Sequence, residues 1–410
     1  MKDTGLRAAE IMLAKDCDLT DFAVIACDQF TSEPKYWNEL RDIVKGKRTA
    51  LDLVLPEIFL GDGDTEQKIA RINDNIKRYL KDGGFRTLPK GFVLTVRQTP
   101  YVKRRIGLVG AIDLEKYEYS QKSTALIRAT EGTITERIPP RLEIRKDAPM
   151  EFSHAMILFD DEKKEITEKL YDERDKYEKL YDFTLNMGGG KLEGWFIPYD
   201  KKIEEAFSGL LKDDRLIKKY GKKDYFAFAV GDGNHSLATA KTHWERVKST
   251  LSAKERENHP ARFALCEFVN VYDEGIYFRP IYRFVKGVDR ADFITKIKGI
   301  KGGGFKKSDG KTITEIKGEN ALPAAIAEVD KFIKEYITEK GGTVDYVHGE
   351  KSLNDLVSEN ERSVGIMFDE MNKNELFRFV SESGALPRKT FSMGEATEKR
   401  YYLEGRKIVK

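Results

Sequence analysis

The segment Val230–Ala240 reads VGDGNHSLATA: a β-rich apolar run stops at a Gly-Asp-Gly turn, and His235 and Ser236 open a helix. A junction of this kind presents backbone N–H groups and the positive helix end to an anion, and glycine lets the chain approach a phosphate closely. Its composition predicts a phosphate or nucleotide site formed by Gly231, Asp232, Gly233, Asn234, His235 and Ser236. Asp232 can orient His235 or hold Mg²⁺ through its carboxylate, and His235 can donate to a phosphate oxygen. The plainer alternative is that Asp232 caps the turn and His235 caps the helix.

Two other stretches concentrate charge. Between Ser120 and Glu151, Arg128, Glu131, Arg137, Arg141 and Arg145 stand among Thr and Pro with little periodicity, which reads as a loop between core strands, a common place for ligand contacts. Near the C-terminus, RKTFSMGEATEKRYYLEGRK offers Lys389, Ser392, Glu395, Lys399 and Arg400 either as a phosphate-binding lid or as charges that face water. The remaining histidines are less suggestive: His154 starts an apolar strand, His243 adjoins Trp244, His259 precedes Pro260 and His348 lies in a turn. None makes an HExxH spacing, which disfavours a zinc hydrolase. With no GxxxxGK[ST], GxSxG or complete GxGxxG run, P-loop kinases, serine hydrolases and Rossmann dehydrogenases are disfavoured too.

The elements that must position these residues follow from periodicity. Helical spacing runs over 32–44 and 65–84, and again over about 162–181, 202–219, 235–248 and 321–337. In the segment that His235 and Ser236 open, Leu237, Ala240, Trp244 and Val247 share one face. Strand patterns cover 18–28, 91–100, 104–117, 153–161, 225–230, 262–273 and 276–285, with two more near 344–349 and 363–370. The alternation predicts an α/β or α+β fold around a mixed sheet. A Lys- and Gly-rich stretch near 286–311 marks a boundary between a main domain, 1–285, and a smaller α/β lobe, 286–410.

Composition bounds the rest. Among 410 residues, 40% are hydrophobic and 34% charged, which suits a soluble globular protein. Lys and Arg number 72 against 69 acidic residues, and a formal charge of +3 argues against a nucleic-acid footprint. The longest apolar runs are far shorter than a bilayer span of about 20 residues, and a cytoplasmic location is expected. Cys17, Cys27 and Cys266 form neither a CxxC pair nor an even disulfide set, so free thiols are expected.

GDGNHSLATAK (231–241) resembles the signature of the DUF1015 family, usually DGHHR followed by a helix. IRATEGTITERIPPR (127–141), LYDFTLNMGGGKLEGW (180–195), ARFALCEFVN (261–270) and LPRKTFSMGEATEKRYYLEGRK (386–407) extend the resemblance in the same order over nearly the whole chain. The signature is similar to the phosphate turn of the ParB/sulfiredoxin-like superfamily, which includes nucleotide-dependent kinases of free serine. That resemblance implies a ParB/sulfiredoxin-like core and a kinase that uses ATP or ADP with Mg²⁺ to phosphorylate a small hydroxyl metabolite, free serine first. Arg128, Arg137 and Arg141 would clamp phosphates or a substrate carboxylate. Glu131, in a segment that resembles the family's RHExT motif, would hold Mg²⁺ with Asp232, accept a substrate ammonium or act as base. Asp28, where the family has an acidic residue after a strand, would take the hydroxyl proton, His235 would assist, and a homo-oligomer is compatible with this reading. The chain departs from the family at Asn234 and Ser236, which replace the usual His and Arg. Loss of that guanidinium removes a bidentate phosphate contact, which favours an alternative: a non-catalytic protein that binds a nucleotide or phosphorylated metabolite for regulation.

Overall fold

The computed structural model describes residues 2–222, 225–300 and 302–410. The chain divides into two compact units, one formed by Met1–Ile276 with Glu395–Lys410 and the other by Tyr277–Gly394. Among the described residues no helix is long and apolar enough to cross a membrane.

The first unit is built on a mixed sheet of 13 described strands. At its functional edge Phe228–Asp232 lies between Ile127–Ala129, which runs parallel to it, and Ala155–Phe159, which runs antiparallel. Phe263–Asn270, Arg105–Asp113 and Phe85–Gln98 follow in order. Side chains alternate across a pleated strand, so Phe92 and Leu94 join one apolar layer while Val93 joins the other. The helix Asn234–Lys248 returns over the first of these layers and buries Leu237, Ala240 and Trp244 there, as its periodicity predicts. Trp244 also donates from Nε1 to Glu115 Oε1 at 2.6 Å, which satisfies its buried indole.

Long-range pairing overrides local pattern at two places. The segment 18–28 is no single strand: Asp18 accepts from the Thr20 amide and starts the short helix Leu19–Phe22, and only Val24–Ile25 is extended. The helical stretch read over 162–181 is confined to Thr167–Asp172 and one 3-10 turn. Glu178–Leu185 instead pairs antiparallel with Gly190–Pro198, around a turn in which Met187, Gly188 and Gly190 have positive φ. Pairing with a neighbouring strand decides such a segment more than intrinsic propensity does.

The second unit centres on Phe278–Lys286, which is paired with Thr343–His348, Ser363–Met367 and Phe391–Met393. Arg283 is fully buried there, paired with Asp330 and donating to the carbonyls of Ile281, Arg388 and Lys389.

One buried group in the first unit sets an acid limit on stability. Desolvation, with the nearby Arg145 charge adding to it, pushes the His243 imidazole down from 6.5 to about 4. The unfolded chain therefore binds more protons in that window, so this contribution is whole above pH 6.5 and declines as pH falls toward 4. In melting curves taken at a series of pH values, His243→Gln should lack this part of the acid slope. An unchanged slope would assign it to other groups.

Candidate functional site

The turn after Phe228–Asp232 is shaped by two glycines. The pairing of this strand with Ala155–Phe159 slips between Val230 and Asp232, so Gly231 sits at an irregularity in the ladder, which resumes where Asp232 pairs with Met156. Gly233 has φ +82° and serves as the N-cap of Asn234–Lys248. A Cβ there would lie 2.8 Å from Ala155 Cα, so only glycine fits. Asp232 folds over the turn, its Oδ1 accepting from the Gly233 amide at 3.1 Å. The amides of Asn234 and Ser236 donate to no protein group among the described residues, and the Asn234 amide oxygen is buried without a partner.

Four further segments converge here. Thr130, two residues past Arg128, donates from Oγ1 to the Val230 carbonyl at 2.6 Å. The loop that continues from it meets the helix again where the Ile134 amide donates to His235 Nε2 at 3.3 Å. The helix Ile138–Arg145, which carries Arg141, packs against Asn234–Lys248. Its ion pair with Glu57 is half-buried, and burial together with the charge of Asp28 pushes the Glu57 carboxyl up while Arg141 pulls it back. Glu57 is held beside Asp28 by its amide, which donates to the Cys27 carbonyl at 2.9 Å.

The third contributor begins at His154, whose Nε2 lies 2.6 Å from Ser236 Oγ. The Tyr402 ring stands edge-on to this imidazole, with centroids 5.2 Å apart. Its hydroxyl accepts from the Cys27 amide at 3.2 Å and donates to Cys27 Sγ at 2.9 Å. Burial pushes the Cys27 thiol up to about 12, so it stays a neutral thiol in this contact.

The fourth is the C-terminal segment, which enters as strand. Tyr401–Tyr402 pairs with Val24–Ile25, and the Ala26 amide donates to the Arg400 carbonyl at 2.9 Å. Arg97 donates to the Thr397 carbonyl and Arg105 to that of Glu398, which fixes the preceding turn. Burial drives Arg97 down to about 9. Lys399 Nζ is thereby brought 3.3 Å from Asp232 Oδ2, placing a largely buried cation at the turn.

The candidate residues therefore separate into groups. Gly231–Ser236, Asp28, Arg141 and Lys399 belong to one connected neighbourhood, and Arg137 joins it through its carbonyl, which accepts from Arg141 Nη1, and through its charge acting on Glu57. Glu131, half-buried, follows Thr130 in the same segment. Arg128 is elsewhere: its guanidinium lies 4.6 Å from the centre of the Phe226 ring and its Nε donates to the Ala125 carbonyl, both ahead of the strand and away from its glycine turn. Arg400 points into the core, held by Glu404, Glu267 and Ser153. Glu395 and Glu398 close a capping box in the first unit, whereas Lys389 and Ser392 belong to the second, where Ser392 Oγ donates to the Gly394 carbonyl. Thr130, His154, Glu57 and Tyr402 were not marked by sequence. Their partners lie roughly 30 to 375 residues away, and no local pattern announces them.

For a resident metal the donor set does not fit. Among the described residues no three acidic, His or Cys groups converge, and Asp232 is already engaged by a lysine and an amide.

Comparison with curated proteins gives no match. Among solved structures the chain is similar to a conserved hypothetical protein from Pyrococcus furiosus, at 12% identity and a TM-score of 0.35 over 72% of this chain and 90% of that one. It is similar to a free serine kinase in complex with AMP, at 11% identity and 0.40 over 73% and 91%. It is also similar to SbnI with a C-terminal truncation from Staphylococcus aureus, at 8% and 0.36 over 70% and 82%. The sequence profile described as a protein of unknown function (DUF1015) matches residues 13–383, and on that match the chain belongs to the DUF1015 family.

Proposed function

We propose that the first unit binds the phosphates of a nucleotide at Gly231–Ser236 and transfers a phosphoryl group to a small hydroxyl metabolite, free serine being the first acceptor to test. The observation that carries this reading is the Lys399–Asp232 pair set against unengaged amides at a turn only glycine can make. An anion bound to those amides would find a cation already in place, which supplies the charge lost with the family's usual Arg. Lys399 would shift from Asp232 to the phosphate, and Arg141, held beside Asp28 by Glu57, would meet the distal phosphate or the acceptor's carboxylate. Asp28 or Glu131 would accept the acceptor's hydroxyl proton. Mg²⁺ carried on the nucleotide would neutralise charge on the phosphates, with Asp232 and Glu131 the carboxylates that would hold it once Lys399 turns to the anion.

A regulatory protein that binds the same ligand without turnover is the second reading. It is favoured by Arg128, stacked on Phe226, and by Arg141, neutralised by Glu57. Incubation with ATP or ADP, Mg²⁺ and an amino-acid mixture, followed by mass spectrometry, separates the two. A new phosphorylated amino acid is the expected product, and nucleotide binding with no such product would move the assignment to the regulatory reading.

A further inference from the structure

The contact between Ser236 and His154 has the geometry of an activated serine: a hydroxyl 2.6 Å from an imidazole nitrogen, supplied by different elements 82 residues apart. The imidazole packs against one ring, and the chain that leads into it is pinned by hydrogen bonds. The edge of Tyr402 stands against it, with the Tyr402 hydroxyl fixed at Cys27. The preceding residue, Ser153, is fully buried, its amide donating to the Glu404 carbonyl at 2.9 Å and its carbonyl accepting from Arg400 Nε at 3.1 Å. Ser236 itself lies in the first turn of Asn234–Lys248, next to the unengaged amides.

We propose that Ser236 is a nucleophile and His154 its general base, so that the phosphoryl group passes through Ser236 Oγ before it reaches the hydroxyl acceptor; this rests on the phosphate-site reading given above. In the first step Ser236 Oγ bonds to the terminal phosphorus of ATP or ADP. The bridging P–O bond breaks with its electron pair to leave the shortened nucleotide, and the hydroxyl proton moves to His154 Nε2, which requires the tautomer protonated at Nδ1. In the second step the acceptor oxygen bonds to that phosphorus, the Oγ–P bond breaks, His154 returns the proton to Oγ, and the acceptor's own proton passes to Asp28, Glu131 or water. Loss of the usual Arg at position 236 is then the gain of a nucleophile, and the missing positive charge is provided by Lys399.

The test uses the full chain with γ-labelled ATP or β-labelled ADP and Mg²⁺, without acceptor, and reads acid-stable label by peptide mapping. Nucleotide binding and the melting temperature are measured alongside. The expected result is one label per chain at residue 236 in the wild type, none in Ser236→Ala, and labelling slowed about 100-fold or more in His154→Gln. Glutamine can keep a hydrogen bond to Ser236 but cannot take its proton, so a purely structural contact would leave its labelling rate unchanged. His154→Asn serves if the Gln variant does not fold. A wild type that binds nucleotide yet takes no label at Ser236, or a His154→Gln protein labelled at the wild-type rate, overturns the covalent step and leaves the phosphate site standing. A wild type that binds no nucleotide overturns both.

Discussion

Arg400→Ala should lower the stability of the protein by about 3–5 kcal/mol, the cost of leaving buried charges without a partner. Arg400 is 4% exposed and lies between Glu404 and Glu267, which are 0% and 1% exposed. It pairs with Glu404, approaches Glu267 at 3.1 Å, and donates to Ser153. Burial alone would push the Glu267 carboxyl up, but the Arg400 and Arg105 charges outweigh it and hold Glu267 below the usual range. Without Arg400, Glu404 would keep the Tyr181 hydroxyl as a donor, and Glu267 would keep Thr95 and the more distant Arg105 charge but lose its close cationic partner. Urea unfolding measures the loss, and Arg400→Lys should fall between the two because one ammonium cannot satisfy three partners. A change below about 1 kcal/mol would show that the network is not needed for stability. Because the same arginine fixes Ser153, one residue ahead of His154, the variant should also label Ser236 more slowly than the wild type.

Gly233→Ala should abolish measurable nucleotide binding while leaving most of the fold intact. Its φ of +82° costs a non-glycine residue about 1–3 kcal/mol, and the new Cβ would press on Ala155 Cα at 2.8 Å. Both strains are relieved by rotating the turn, which carries the Asn234 and Ser236 amides away from a common focus. Two lost charge-assisted contacts, at about 1.5–3 kcal/mol each, amount to about 100-fold or more in Kd. Gly188→Ala provides the control. Its φ is also positive, at +73°, but nothing lies within 4 Å of the added Cβ, so it should weaken the hairpin and spare the ligand. Equal binding by Gly233→Ala and the wild type in calorimetry would remove the turn from the site.

What could be read from sequence was local. An apolar run ending at Gly-Asp-Gly, then Leu237, Ala240 and Trp244 at helical spacing, is enough to specify a strand, a tight turn and a helix with its buried face. Hidden from sequence were contacts between distant segments. His154 reads as the start of an apolar strand because nothing nearby in sequence hints that Ser236 will lie beside it. Tyr402 and Cys27, 375 residues apart, meet because Tyr401–Tyr402 pairs with Val24–Ile25. Arg128 is the opposite case: its charge suggested a ligand, but the Phe226 ring and the Ala125 carbonyl provide a local destination. Lys399 was visible as one basic residue among several in the tail. It is distinguished by the carbonyls of Thr397 and Glu398 being anchored by Arg97 and Arg105, which aims the next side chain at Asp232.

In the proposed site residues 231–236 receive the phosphates of a nucleotide, with Lys399 at Asp232 and Arg141 on the helix packed against Asn234–Lys248. Calorimetric titration of ATP and ADP, each with Mg²⁺, into the wild type, His235→Ala and Arg141→Ala tests it most directly. Binding to the wild type, weakened about 10-fold or more in each variant as one charge-assisted contact is lost, is the predicted result. Affinities in both variants equal to that of the wild type would contradict it.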